Sequence, residues 1–141
     1  MIVLDTNLLL YLHRTDRPEH RRVTQAVRRA VPRGLATTVI NLVEFTCVAT
    51  STAKTNRPSS IADCDRFLSD LQAQSGLVVL SPGRDFRERW HESAAEEDVR
   101  GRKLHDLAIG VIALSAGVRT LWTHDAGFCA PAGLRVELPL R

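Results

Sequence analysis

The chain has 141 residues, of which 44% are hydrophobic and 25% charged, and its formal net charge is +3. That length suits one domain, residues 1–141, and the balance excludes a disordered chain. No basic stretch precedes an apolar one near Met1 and no apolar run could span a bilayer, so neither secretion nor a membrane partner is expected.

Met1–Leu4 reads as a short buried strand and runs straight into an apolar-rich helical stretch, Thr6–Arg14, as in a βα unit. Arg17–Val31 carries Val23, Ala26, Val27 and Ala30 at amphipathic helical spacing, and Pro32–Gly34 ends it. Leu35–Thr38 is a second strand. Val39–Ser51 has helical spacing, Thr52–Ser60 reads as a loop, and Ser60 caps a further helix reaching about Gln74. Leu77–Leu80 is expected as a third, buried strand and Arg84–Glu97 as an exposed charged helix. Leu104–Ala116 is apolar almost all round, as a central helix packed on both sides would be, and Gly117 stops it. Arg119–Trp122 forms a fourth strand and Leu134–Leu138 an edge strand. Strands separated by helices predict an α/β fold, a parallel sheet of four to five strands flanked by helices.

The cysteines, Cys47, Cys64 and Cys129, are odd in number and widely spaced, which fits neither a disulfide framework nor a metal knuckle. A reducing cytoplasm is the expected setting. The basic residues are seventeen arginines against two lysines, Lys54 and Lys103. Arginine's planar fork suits phosphate, but a GC-rich coding sequence also enriches arginine, so charge by itself only permits a nucleic-acid partner.

In parallel α/β sheets ligands bind beyond the carboxyl ends of the strands. Asp5 directly follows the first strand, and Asp125 follows the fourth after Thr123 and His124. Glu44 lies on the helix after the second strand, where Ile40, Cys47 and Val48 share its stripe, so its carboxylate should be partly buried and in need of a partner. Asp106 stands in the first turn of the most apolar helix. Each acid alone has an ordinary explanation: Asp5 as a helix cap, Glu44 as an arginine partner, Asp106 as a dipole complement, Asp125 as a turn residue. Together they lie where a parallel fold gathers them. Carboxylates about 4 Å apart repel by roughly 4 kcal/mol per pair at an effective dielectric near 20, so such a cluster calls for a cation, and all-oxygen ligands select Mg²⁺ or Mn²⁺. His105 and His124 each precede an acid and so should point away from it, outside the metal's ligands.

The segments IVLDTN, VINLVEF, RGRKLHDLAIGVIAL and LWTHDAGF, in this order, make the chain resemble PIN-domain ribonucleases, and specifically VapC-like toxins, over nearly its whole length. The resemblance places metal-binding acids at Asp5, Glu44, Asp106 and Asp125, with Thr6, Asn7 and Thr123 beside them. Leu107 stands where many relatives have a small residue, and Ala126–Gly127 supplies no further acid, so one ion held chiefly by Asp5 and Asp106 is expected. The family further implies metal-dependent hydrolysis of a structured RNA, arrest of translation, a homodimer, and inhibition by a cognate VapB-like antitoxin. Arg14, Arg17, Arg21 and Arg22 are candidates for an RNA track, or equally for a solvated helix face.

Two other readings compete. A phosphotransferase with Asp5 as nucleophile lacks a second aspartate at Asn7 and a strand-end lysine. A noncatalytic RNA- or protein-binding module accounts for the arginines but not for four suitably placed acids.

Overall fold

The computed structural model describes residues 1–141. Its elements follow as β1 (Ile2–Leu4), α1 (Thr6–His13), α2 (His20–Ala30), β2 (Leu35–Thr38), α3 (Val39–Thr50), α4 (Ile61–Ser75), β3 (Val78–Leu80), α5 (Phe86–Glu96), α6 (Lys103–Ser115), β4 (Thr120–Trp122) and β5 (Arg135–Glu137). The five strands form one parallel sheet in the order β3-β2-β1-β4-β5. This is the α/β architecture read from the alternation of strand and helix patterns.

The pleat divides the core in two. Ile2 and Leu4 of β1 face one way, with Leu8, Leu9, Val23, Phe45 and Trp122, whereas Val3 faces the other, with Ala36, Ile109, Ala113 and Leu121. Both faces are covered, so the inner strands read as continuous apolar runs. Residues Leu107–Ala113 of α6 are all buried, because this helix lies between the sheet and α5, whose Trp90 indole donates to the Leu104 carbonyl at 3.0 Å.

Two expectations need correction. The third strand is not buried: Val78 is 43% exposed, because β3 is an edge strand paired only with β2. The second helix starts at His20 rather than Arg17, since Pro18 disfavours helical geometry at Arg17 and the chain turns there, Arg17 N–H donating to the Arg14 carbonyl.

Ends are set locally. Ser60 caps α4 through a reciprocal box with Asp63, and Gly76, at φ 66°, supplies the left-handed residue that closes it. Gly110 answers a different need. A Cβ there would lie 2.2 Å from Pro131 Cδ and 3.1 Å from Leu134 Cδ2, so α6 approaches the β4–β5 connection as only glycine allows. Gly110→Ala gains about 1 kcal/mol of helix propensity but forces a clash with a rigid ring, so a net loss of about 2 kcal/mol is expected. Thermal melting should register this as a fall of about 5 °C, and an unchanged melting temperature would contradict the packing described.

Candidate active site

The sheet changes direction at β1, from which β2 and β3 extend to one side and β4 and β5 to the other. Beyond the carboxyl ends of β1 and β4 the neighbouring chains diverge and leave a crevice. Register places Leu4 beside Trp122, and Asp5 N–H donates to the Trp122 carbonyl at 3.0 Å. Asp5 and Thr123 are therefore neighbours, although 118 residues apart in sequence.

Asp5 is 7% exposed and all four of its acceptor positions are used. Oδ1 accepts from the Thr6 amide at 2.8 Å and from Asn41 Nδ2 at 3.1 Å. Oδ2 accepts from the Thr123 hydroxyl at 2.6 Å and from Asn7 Nδ2 at 2.9 Å. The Thr123 oxygen itself accepts from Asn7 Nδ2 and from the Asp125 amide, so its proton is directed at Asp5. Donors on every side suit a carboxylate and not a carboxylic acid. Burial nevertheless pushes this carboxyl up to about 6, against the hydrogen bonds from Thr123 and Thr6, with the charges of Glu44 and Asp106 pushing the same way as burial.

Glu44 sits at the rim of α3, its side chain 33% exposed. The Thr6 hydroxyl donates to its Oε2 at 2.7 Å. The inward stripe of α3 is Asn41, Phe45 and Ala49, one position removed from the expected one, and Cys47 is exposed. The Phe45 ring, packed on Phe67 and His13, decides which side turns inward. Asp106, in the first turn of α6, is 21% exposed and accepts on Oδ2 from the Cys129 amide at 3.1 Å and from Lys103 Nζ at 3.3 Å. Asp125 lies furthest out at 53% exposure, its Oδ1 accepting from the Gly127 amide at 2.7 Å in a turn and its Oδ2 lying 3.9 Å from Lys103 Nζ. The ordinary readings of Asp5 as a cap and of Asp125 as a turn residue both hold, and both residues also face the crevice network.

His105 does not stand clear of the acids: its Nδ1 is 3.3 Å from Glu44 Oε1, because one turn of α6 brings it against α3. His124 turns away, edge-on to Tyr11, while its amide donates to Asn7 Oδ1.

Two residues of the site escaped sequence reasoning. Asn41 is fully buried and bridges Asp5, Thr6 and the Thr38 cap. Its signal was a polar residue four and eight positions ahead of Phe45 and Ala49, where a buried amide needs partners. Lys103, three residues before Asp106 on the same helix, was visible as an i,i+3 pair.

No three His, Cys, Asp or Glu side chains close around a common point as a ready coordination shell. The donor chemistry nonetheless fits a hard divalent ion of magnesium type, which binds through one or two carboxylates and otherwise water and phosphate. Asp106 Oδ1 has no protein partner, and the Lys103 ammonium already lies among carboxylates as a resident cation.

From Asn7 a groove of about 800 Å³ runs along α1 to the loop after α3, lined by Tyr11, Arg14, Arg17, Lys54 and Arg57 against one acid, Asp16. Arg14 is tied to the carbonyls of Ala49, at 3.1 Å, and Arg57. Arg22 is tied to the Leu140 carbonyl, and neither it nor Arg21 lines the groove.

A five-stranded parallel sheet with a buried aspartate at its switch point and further acids from α3 and α6 is the architecture of a PIN-type nuclease. The PIN-domain family model matches residues 2–134. Ribonuclease VapC25 of Mycobacterium tuberculosis is 32% identical over 116 residues, 81% of this chain and 82% of that protein. Among solved structures, M. tuberculosis VapC20, described as a sarcin-ricin-loop-cleaving toxin, superposes with a TM-score of 0.67 at 15% identity, covering 91% of this chain and 92% of that one. VapBC2 of Rickettsia felis, bound to a DNA fragment from its promoter, gives 0.69 at 19%, covering 97% and 98%. The chain belongs to the PIN-domain family and, within it, to the VapC ribonucleases, the toxins of VapBC toxin–antitoxin pairs. No helix is long and apolar enough to cross a membrane.

Proposed function

We propose that the chain is a magnesium- or manganese-dependent endoribonuclease whose working site is Asp5, Glu44, Asp106 and Asp125, supported by Thr6, Asn7 and Thr123. The observation that carries this reading is Asp5, a carboxylate buried by hydrophobic strands, surrounded by donors and flanked by Glu44 and Asp106. A divalent ion, when bound, supplies a water of lowered pKa and neutralises charge on the phosphodiester and its leaving oxygen. Thr6, Asn41, Asn7 and Thr123 hold Asp5 in one rotamer and keep it ionised. Asn7 Nδ2 and Asn41 Nδ2 each also touch a threonine oxygen, so either can release Asp5 and keep a partner when a ligand approaches. Glu44, fixed by Thr6, and Asp106, fixed by Cys129 N–H, offer the remaining negative charge at the crevice mouth.

RNA is the substrate in this reading, and the basic groove from Asn7 carries its backbone past Arg17, Lys54 and Arg57, with Tyr11 offering a face for a base. Arg14 serves that track indirectly, by fixing the groove wall. Neutralising Arg17, Lys54 and Arg57 together should reduce the slope of log K against log[salt] by about 2, at roughly 0.7 per contact for single strands. Fluorescence anisotropy on an uncleaved RNA at several salt concentrations measures this, and an unchanged slope places the RNA elsewhere.

A VapB-like antitoxin suppresses the activity, and the toxin acts as a cytoplasmic homodimer, as the family resemblance implies. Three free thiols accord with a reducing setting. The decisive experiment is sequencing RNA ends after expression of the wild type and of Asp5→Ala. Defined new ends in the wild type alone support the reading, and identical ends in both refute it.

A further inference from the structure

We propose that Lys103 is a built-in cation that holds the place of a second divalent ion between Asp106 and Asp125, so that the site takes up a single ion from solution. This rests on the metal-dependent reading above and adds to it the number of ions and the residue that sets it.

The ammonium lies among three oxygens from two separate elements. Asp106 Oδ2, one turn on along α6, is 3.3 Å away, Asp125 Oδ2 is 3.9 Å away, and the Gly127 carbonyl accepts a hydrogen bond at 2.5 Å. Two carboxylates and a backbone carbonyl are the donor set that a hard cation takes. The loop is shaped around this arrangement. Asp125 turns the chain back through the Gly127 amide, and a Cβ at Gly127 would stand 3.3 Å from Asp125 Oδ1, a tight approach, and 3.6 Å from Lys103 Nζ, an ordinary contact, so a side chain there would press on the Asp125 carboxylate that Lys103 faces.

Asp106 is divided by these contacts. Its Oδ2 serves both Lys103 and the Cys129 amide, whereas Oδ1 has no protein partner. One oxygen is thus committed to the internal cation and one is left for an ion from solution. A second divalent ion at Asp125 would have to sit beside the ammonium and be repelled by it. The chain offers no additional acid at Ala126 or Gly127 to offset that repulsion.

The competing account is a simple ion pair that pins the loop without affecting the ions. Titration of the full-length chain with Mn²⁺, followed by calorimetry and by the electron-spin signal of the free ion, separates the two. Wild type should bind one ion. Lys103→Met and Lys103→Gln, the latter able to keep a hydrogen bond to Gly127, should bind two, the second at least about tenfold more tightly than any second ion on the wild type. Lys103→Arg, which keeps the charge, should remain at one, and melting curves in chelator report that each variant is folded. Two ions on the wild type would overturn the inference without any variant and leave the metal-dependent reading standing. Unchanged counts in folded Met and Gln variants would also overturn it, including the case where one ion merely binds more tightly. No ion on the wild type would refute both readings together.

Discussion

Asp5→Asn should lower metal-dependent RNA cleavage by about 10³-fold or more while the chain still folds. The change keeps side-chain volume and removes the one charge that is buried at the junction of β1 and β4. It also turns an acceptor into an NH₂ group facing Asn7 and Thr123 or Thr6 and Asn41, all of which donate to the wild-type carboxylate. Both effects displace a bound cation. Charge stabilisation by a catalytic ion amounts to several kcal/mol, and each 1.4 kcal/mol is about tenfold in rate. Single-turnover cleavage of one RNA, with Mg²⁺ and with chelator, measures it. A variant within tenfold of the wild type would remove Asp5 from the chemistry.

The second large effect is on stability, and its sign depends on the ion. Burial raises the Asp5 carboxyl from 3.8 to about 6, its hydrogen bonds from Thr123 and Thr6 opposing this and the charges of Glu44 and Asp106 adding to it. The folded value therefore lies above the unfolded one. Asp5 then contributes its full stability below about pH 4, where the carboxyl is protonated in both states, and that contribution is lost as pH rises through about 6. A separation near two units corresponds to about 3 kcal/mol. His13 works in the opposite direction, because burial lowers its pKa and its contribution is lost as pH falls. Comparison with Asp5→Asn isolates the aspartate, since the amide's poor fit to its donors does not depend on pH. In chelator the wild type should lose about 3 kcal/mol relative to the variant between pH 4 and 7.5, a shift of about 10 °C in their melting difference. With saturating Mg²⁺ the trend should reverse, because an ion bound to the carboxylate stabilises the charged form. A melting difference that stays flat with pH in chelator would mean that Asp5 ionises without cost in the folded chain.

Repulsion among crowded acids in the metal-free site, taken by itself, predicts that Asp106→Asn is stabilising. The position of Lys103 alters that expectation: the lysine already offsets part of the charge, so neutralising Asp106 removes an attraction as well as a repulsion.

What the chain determined by itself is local. Leu35–Thr38 reads as a strand because it is a short run bounded by Gly34 and a helical pattern, α4 starts at Ser60 because a hydroxyl can satisfy its first amides, and α6 is central because its apolar residues leave no polar face. These depend on residues a few positions apart, and the order of four acid-bearing motifs along the chain was equally open to inspection. Only the tertiary structure decided which strands are neighbours. With β4 beside β1, Thr123 meets Asp5, and with β3 at the edge, a run that looks buried is half open to solvent. It also decided which of several similar apolar stripes of α3 turns inward: Ile40, Val43 and Val48 compete with Phe45 in sequence, and packing on Phe67 selects the stripe that buries Asn41 against Asp5. Lys103 illustrates the division within one side chain. Its pairing with Asp106 follows from helical spacing, whereas its contacts with Gly127 and Asp125 depend on where a loop more than twenty residues away returns to α6. Periodicity acts between near neighbours, but a site made at strand ends is fixed by register and close packing between distant segments, which no local pattern encodes.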